Sequence, residues 1–178
     1  MPRVLPKIVD LAAACPERTV FTRFIPAERA GEGEGSWRRY YRRWPAMTLE
    51  KLGRDMIELA PPLQRLVPPA AMFDKRVYSP WLGTGLHAAL RGRAIDTLIV
   101  TGSETDVCVL ATVLGAVDRG YRVVLATDAV CSSSDETHDG LLTLYEKRYS
   151  EQVEAVTSDI IKANWLDARG EYSPSASA

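Results

Sequence analysis

Thr97-Leu98-Ile99-Val100-Thr101-Gly102-Ser103-Glu104-Thr105-Asp106-Val107-Cys108-Val109-Leu110 changes its period midway. Its opening residues, Thr97 to Thr101, form a β-branched, apolar run that ends at Gly102 and reads as a buried parallel strand. Beyond it, Val107, Leu110, Ala111, Leu114 and Val117 recur at helical spacing until Gly120 stops the pattern. A strand that passes directly into a helix is the first half of a βαβ unit.

Downstream the alternation repeats. Arg122-Val123-Val124-Leu125-Ala126-Thr127 reads as a second strand. Ser133 and Glu136 have capping-box spacing and open a helix carrying Leu141, Leu144 and Tyr145. A short strand over Val153–Val156 leads to a last helix after Ser158. Strand–helix–strand repetition implies right-handed crossovers and a parallel sheet flanked by helices, an α/β fold.

Upstream the pattern is less regular. Val4, Ile8, Leu11 and Ala12 share a helical face, and strands follow at Thr19–Phe24 and Ala71–Phe73. Pro61-Pro62 and Pro68-Pro69 bracket the segment before the second of these. Residues 25–47 are rich in glycine, arginine and aromatics, including Trp37-Arg38-Arg39-Tyr40-Tyr41-Arg42-Arg43-Trp44. They are either a solvated insertion or a lid over a pocket at the sheet's C-terminal edge. Residues 1–170 read as one domain, and the small, polar stretch 171–178 as a disordered tail.

Composition narrows the function. A length of 178 residues with 46% hydrophobic side chains suits one full core. Lys and Arg number 22 against 23 Asp and Glu, so the net charge of -1 offers no field to recruit nucleic acid or an anionic membrane. No apolar run reaches the roughly 18 residues that span a bilayer, and Pro6, Lys7 and Asp10 break any signal-peptide profile. Cys15, Cys108 and Cys131 contain no C-x-x-C pair and read as reduced thiols in a cytoplasmic protein. Gly83-Thr84-Gly85 lacks the lysine and spacing of a phosphate loop.

Two side chains stand where chemistry is expected. In open parallel sheets ligands bind beyond the carboxyl ends of the strands, and Cys108 lies just past one. A thiol in the first turn of a helix meets the positive end of the dipole, which favours thiolate. The plainer reading is a buried cysteine on a helix face. Lys75 follows the run Ala71-Met72-Phe73, either as a surface lysine or as a cation at the same sheet edge. An ammonium near a thiol favours its charged form. Arg23, Trp37, Tyr41 and Tyr78 are candidate pocket residues, Arg23 as a partner for a carboxylate, though each is as readily structural. His87 and His138 read as surface or capping residues, and Cys131 as a packing residue.

Thr101 to Val109, with Ala111-Thr112 following, resembles the nucleophile motif of the isochorismatase-like cysteine hydrolases. Asp74-Lys75-Arg76-Val77-Tyr78-Ser79-Pro80-Trp81 is similar to that family's catalytic-lysine motif, and Gly120-Tyr121-Arg122-Val123 with Asp128-Ala129-Val130 to its downstream strand and turn. The resemblance runs from about Val4 to Trp165. It implies a Rossmann-like parallel sheet, a Cys–Lys–Asp triad and, in many members, hydrolysis of amide-type C–N bonds through a thioester. By the same resemblance, Cys108 is the nucleophile, Lys75 the supporting cation, and the bond between Ser103 and Glu104 cis. The amides of Glu104 and Cys108 would then face the oxyanion.

One part of the family pattern is missing. The family's aspartate ends a central strand of the form I-D-x-Q, whereas Met1-Pro2-Arg3-Val4-Leu5-Pro6 already matches the region after it. The expectation is therefore a chain short of its first central strand by roughly two or three dozen residues, with reduced activity. The base is left open, Asp106 and Asp74 being the carboxylates at hand. The Asp-x-His ligands of the family's metal-binding nicotinamidases are absent, so neither metal nor other cofactor is expected. The partner expected is a small-molecule substrate, and the family habit implies a homo-oligomer, dimer or tetramer, with Trp37–Trp44 available to close a neighbour's pocket. Rival readings are a vinyl-ether hydrolase of the isochorismatase kind and a non-catalytic binding or assembly module.

Overall fold

Five strands and eight helices follow one another along the chain in a computed structural model that describes residues 3–168. They are α1 (Leu5–Ala14), β1 (Val20–Phe24), α2 (Ser36–Arg43), α3 (Leu49–Leu52), α4 (Pro61–Gln64), β2 (Ala71–Lys75) and α5 (Leu86–Gly92). After them come β3 (Thr97–Ser103), α6 (Leu110–Val117), β4 (Arg122–Cys131), α7 (Asp135–Arg148), β5 (Val153–Val156) and α8 (Ser158–Ala168). The proposed tail at 171–178 lies outside the described residues. Two compact units divide the chain: Cys15–Ala89 is one, and α1 with the residues from Leu90 onward is the other.

In the larger unit the strands are parallel and ordered β3-β4-β5. Thr97 pairs with Arg122 and Val100 with Leu125, while Val123 pairs with Val153 and Ala126 with Val156. Val123, Val124, Leu125 and Ala126 are all buried, the near-continuous burial of a strand covered on both faces. α1 and α8 pack against β4 and each other, α6 packs against β3 and β4, and α7 against β5. Ion pairs brace the first contact: Lys7 lies 3.1 Å from Asp159, and Lys162 lies 2.7 Å from Asp10.

β4 is longer than the sequence suggests. Asp128-Ala129-Val130 is strand rather than turn, because the β3–β4 register slips between Val100 and Gly102 and pairing resumes at Gly102 with Val130 and Ser103 with Cys131. Gly102 sits at φ +112, where a side chain would be strained. Asp128 gains a role from this extension: its carboxylate accepts the backbone N–H and the hydroxyl of Ser158, each at 2.7 Å, at the first residue of α8. Burial pushes the Asp128 carboxyl up, but the Ser158 bonds, its own backbone and Lys7 outweigh that and hold it below the usual carboxylate range.

In the smaller unit β1 and β2 pair in parallel from Val20 with Ala71 to Phe24 with Lys75. Among the described residues β1 pairs with β2 alone, and β3 pairs with β4 alone. The aromatic stretch of residues 25–47 is not irregular throughout: it forms α2, whose Trp37 and Tyr41 face inward while Arg38, Arg39, Arg42 and Arg43 are exposed.

Two outcomes follow for the larger unit. Tyr145 is fully buried and its hydroxyl has no hydrogen-bond partner among the described residues. Since an unsatisfied buried group costs about 1–3 kcal/mol, Tyr145→Phe will keep or raise the thermal midpoint; a fall worth more than about 1 kcal/mol would show that the hydroxyl is bonded. Asp128 has a depressed pKa in the folded chain, so its contribution is present above the ordinary carboxylate pKa of about 3.9 and is lost as pH falls through the lower folded value. Asp128→Asn will therefore destabilise the chain at pH 7 and narrow the stability difference between neutral and acid pH, both read by denaturant titration.

Candidate active site

The larger unit places Cys108 in a turn that is neither strand nor α-helix. After the end of β3, the bond between Ser103 and Glu104 is cis, and Thr105–Val109 form one π-helical turn ahead of α6. The Glu104 carbonyl accepts both the Val107 N–H at 3.1 Å and the Val109 N–H at 3.0 Å. The wide i+5 bond is what separates this turn from an ordinary helical start. Cys108 is half-buried within it, and its carbonyl accepts the Thr112 hydroxyl at 2.7 Å. Cys15 is buried immediately after α1, Cys131 is half-buried at the end of β4, and none of the three is in a disulfide.

Side chains fasten the residues just before Cys108 to the end of β4 and the start of α7. Asp106 accepts a short hydrogen bond from the Ser132 hydroxyl on one oxygen and one from the Thr137 hydroxyl at 2.6 Å on the other. Thr105, fully buried, shares a hydrogen bond of 2.8 Å with Nδ1 of His138. Glu104 accepts the Ser133 hydroxyl at 3.2 Å. The Ser132 hydroxyl first, then that of Thr137, holds the Asp106 carboxyl below the usual range, with the nearby His138 adding to the effect. An anion so stabilised, with both oxygens already accepting, is a poor proton acceptor at neutral pH.

The helix cap differs from the sequence reading by one residue. Ser134, not Ser133, caps α7, its hydroxyl accepting the Thr137 N–H at 3.3 Å. Ser133 is diverted to Glu104 instead. Sequence reasoning missed Ser132, Thr137 and the Thr105–His138 pair as partners of the cysteine turn. The available signal was the hydroxyl run Ser132-Ser133-Ser134 at the mouth of a strand, since short hydroxyl side chains there bond to neighbouring turns more readily than they pack.

In the smaller unit Lys75 is the last residue of β2 and only 3% exposed. Its ammonium donates to the carbonyls of Val77 at 3.2 Å and Tyr78 at 2.8 Å, and lies 5.3 Å from the centre of the Phe24 ring. The surface-lysine reading is thus excluded, since a buried ammonium needs such acceptors. Arg23 is turned to the protein's own carboxylates: it forks onto Asp74 at 2.8 and 3.0 Å and reaches Glu58 at 2.7 Å. Its hydrogen bonds and charge keep Asp74 below the usual carboxylate range, which removes Asp74 too as a ready base. Trp37 is the centre of an aromatic group, 4.8 Å from Tyr78, 5.9 Å from Phe24 and 6.0 Å from a stacked Tyr41. Tyr41 is buried and Tyr78 exposed, so packing accounts for the first and leaves the second accessible. His87 lies edge-on to Trp81. Among the described residues no group of three or more His, Cys, Asp or Glu side chains could hold a metal, and no helix is long and apolar enough to cross a membrane.

Residues 1–157 match the family model described as the isochorismatase domain. An uncharacterized isochorismatase family protein of Bacillus subtilis (strain 168) is 38% identical over 80 residues, 45% of this chain and 44% of that protein. This chain thus aligns with less than half the length of that curated relative. Among solved structures, a cysteine hydrolase from Pseudomonas syringae pv. phaseolicola superposes with a TM-score of 0.73 at 25% identity, covering 90% of this chain and 78% of that one. A nicotinamidase/pyrazinamidase from Bacillus subtilis gives a TM-score of 0.70 at 26% identity, covering 86% and 85%. With the family model spanning most of its length and the cysteine turn in the matched region, the chain belongs to the isochorismatase family.

Proposed function

We propose that this protein is a cysteine hydrolase that cleaves the C–N bond of a small amide, ureido or carbamoyl-type compound. The observation that carries the reading is the setting of Cys108: a half-buried thiol in a π-helical turn, beyond the carboxyl end of β3 and the cis Ser103–Glu104 bond. That is the sheet edge where ligands bind in parallel α/β folds. Structural neighbours described as a cysteine hydrolase and a nicotinamidase support the same chemistry.

In the proposed reaction the Cys108 sulfur attacks the carbonyl carbon, and the C=O electron pair moves to oxygen. The backbone N–H groups of Glu104 and Cys108 hold that oxyanion, a contribution worth about 10²–10³ in rate per donor in comparable sites. Collapse breaks the C–N bond, the nitrogen takes up the proton that the Cys108 thiol gives up and leaves as ammonia or an amine, and the acyl group remains on sulfur as a thioester. Water then adds to the thioester, releasing the acid and returning the thiol. Lys75 is assigned the supporting positive charge on the strength of its motif. Asp106 and Asp74, each held ionised by its neighbours, are not assigned as the base.

Two measurements test the proposal. Iodoacetamide at neutral pH, followed by peptide mapping, will modify Cys108 faster than Cys131, which is also half-buried. Ammonia release from a panel of primary amides, ureido and N-carbamoyl compounds will be detected with the wild-type chain and be lost in Cys108→Ala. Equal release by Cys108→Ala would remove the covalent mechanism.

A further inference from the structure

We infer that Asp106, with Ser132 and Thr137, is a positioning device for the cysteine turn; this rests on Cys108 being the nucleophile. The residues Glu104, Thr105 and Asp106 precede Cys108 with only Val107 between, and each is tied by its side chain to the stretch 132–138. Ser133 reaches Glu104, His138 reaches Thr105, and Ser132 with Thr137 grips both oxygens of Asp106. The two hydroxyls on Asp106 come from different elements, Ser132 from the residue after β4 and Thr137 from the first turn of α7. A carboxylate held on both oxygens by two separate elements fixes its own backbone in rotation as well as position.

The need for such a device follows from the turn itself. A π-helical turn forms fewer regular hydrogen bonds than an α-helix, and here a single carbonyl, that of Glu104, receives two amides. Local backbone bonds alone leave such a turn free to tighten into an α-helical start, which would rotate Cys108. Asp106, two residues before the thiol, is the point at which that rotation is resisted. Its bonding also separates it from acid–base duty: the carboxylate acts on the turn through its hydroxyl partners, not on the reacting atoms.

The test uses the full chain and substitutions that leave the Asp106 charge in place. In the double variant Ser132→Ala, Thr137→Val the carboxylate loses both hydroxyls at little cost in volume. Alkylation of Cys108 by iodoacetamide is expected to slow about tenfold, part of the roughly 100-fold that a misplacement of about 1 Å costs a reacting group. The rate at Cys131 serves as the control and is expected to hold. The thermal midpoint is expected to fall, because two charge-assisted hydrogen bonds are lost, while the chain stays folded at the labelling temperature. Thr137→Ser, which restores one hydroxyl, is expected to recover most of the loss in rate. Amide hydrogen exchange across 103–110 is expected to rise in the double variant. Unchanged exchange there, or unchanged Cys108 alkylation with raised exchange, overturns the inference. Failure of the nucleophile reading shows differently, as a wild-type Cys108 that labels no faster than Cys131 before any substitution is made.

Discussion

A buried strand that turns straight into a helix must leave no backbone polar group without a partner, and everything about the cysteine turn follows from that demand. β3 ends beside β4, its last residue Ser103 paired with Cys131. The chain then has to supply the first amides of a helix with acceptors at once. It loads two of them on the Glu104 carbonyl, and separately it ties the side chains of residues 104–106 to hydroxyls and an imidazole of the neighbouring stretch 132–138. The thiol is carried on a turn whose geometry is set from outside the turn.

The same solution recurs along the same carboxyl edge of the larger unit's sheet, after β5. Asp128, within the extended part of β4, receives the backbone N–H and hydroxyl of Ser158 where α8 begins. In both places a carboxylate and short hydroxyls join a strand edge to a helix start, and in both the carboxylate is kept ionised by what it accepts. The smaller unit handles charge by a different route. Lys75 is stripped of water but given carbonyls and an aromatic face, while Arg23 holds Asp74 and Glu58 in a surface fork.

Strand and helix content was legible because period and burial agree: Leu98 to Val100 and Val123 to Ala126 are apolar, and the second run is buried throughout. The end of β4 was not legible, since Asp128 breaks the apolar run and reads as a turn residue. Only the pairing with Gly102 and the bond to Ser158 explain its place in a strand. The cysteine turn and the lysine strand were found from position and motif. The hydroxyl partners were not, because residues 106 and 132 are distant along the chain and nothing in one sequence couples them. Arg23 reads from sequence as a pocket residue for a carboxylate or as a structural residue, and the structure supplies Asp74 opposite it in register, a partner that alternation alone does not reveal. The spacing rule picks Ser133, which has Glu136 three residues on, but Ser134 is the cap and Ser133 is drawn to Glu104, a partner that lies far along the chain and that no local rule contains.

Those adjacent serines have a consequence for how the sequence can change. Ser132, Ser133 and Ser134 look interchangeable in composition, yet one answers to Asp106, the next to Glu104 and the third to the helix start. Their information is carried by order, not by type. Each could be exchanged for another small hydroxyl residue with modest effect, whereas inserting or deleting a single residue in the run would hand every hydroxyl to its neighbour's task. The segment is therefore permissive to substitution and intolerant of a change in length, the reverse of what is usual in a short polar loop.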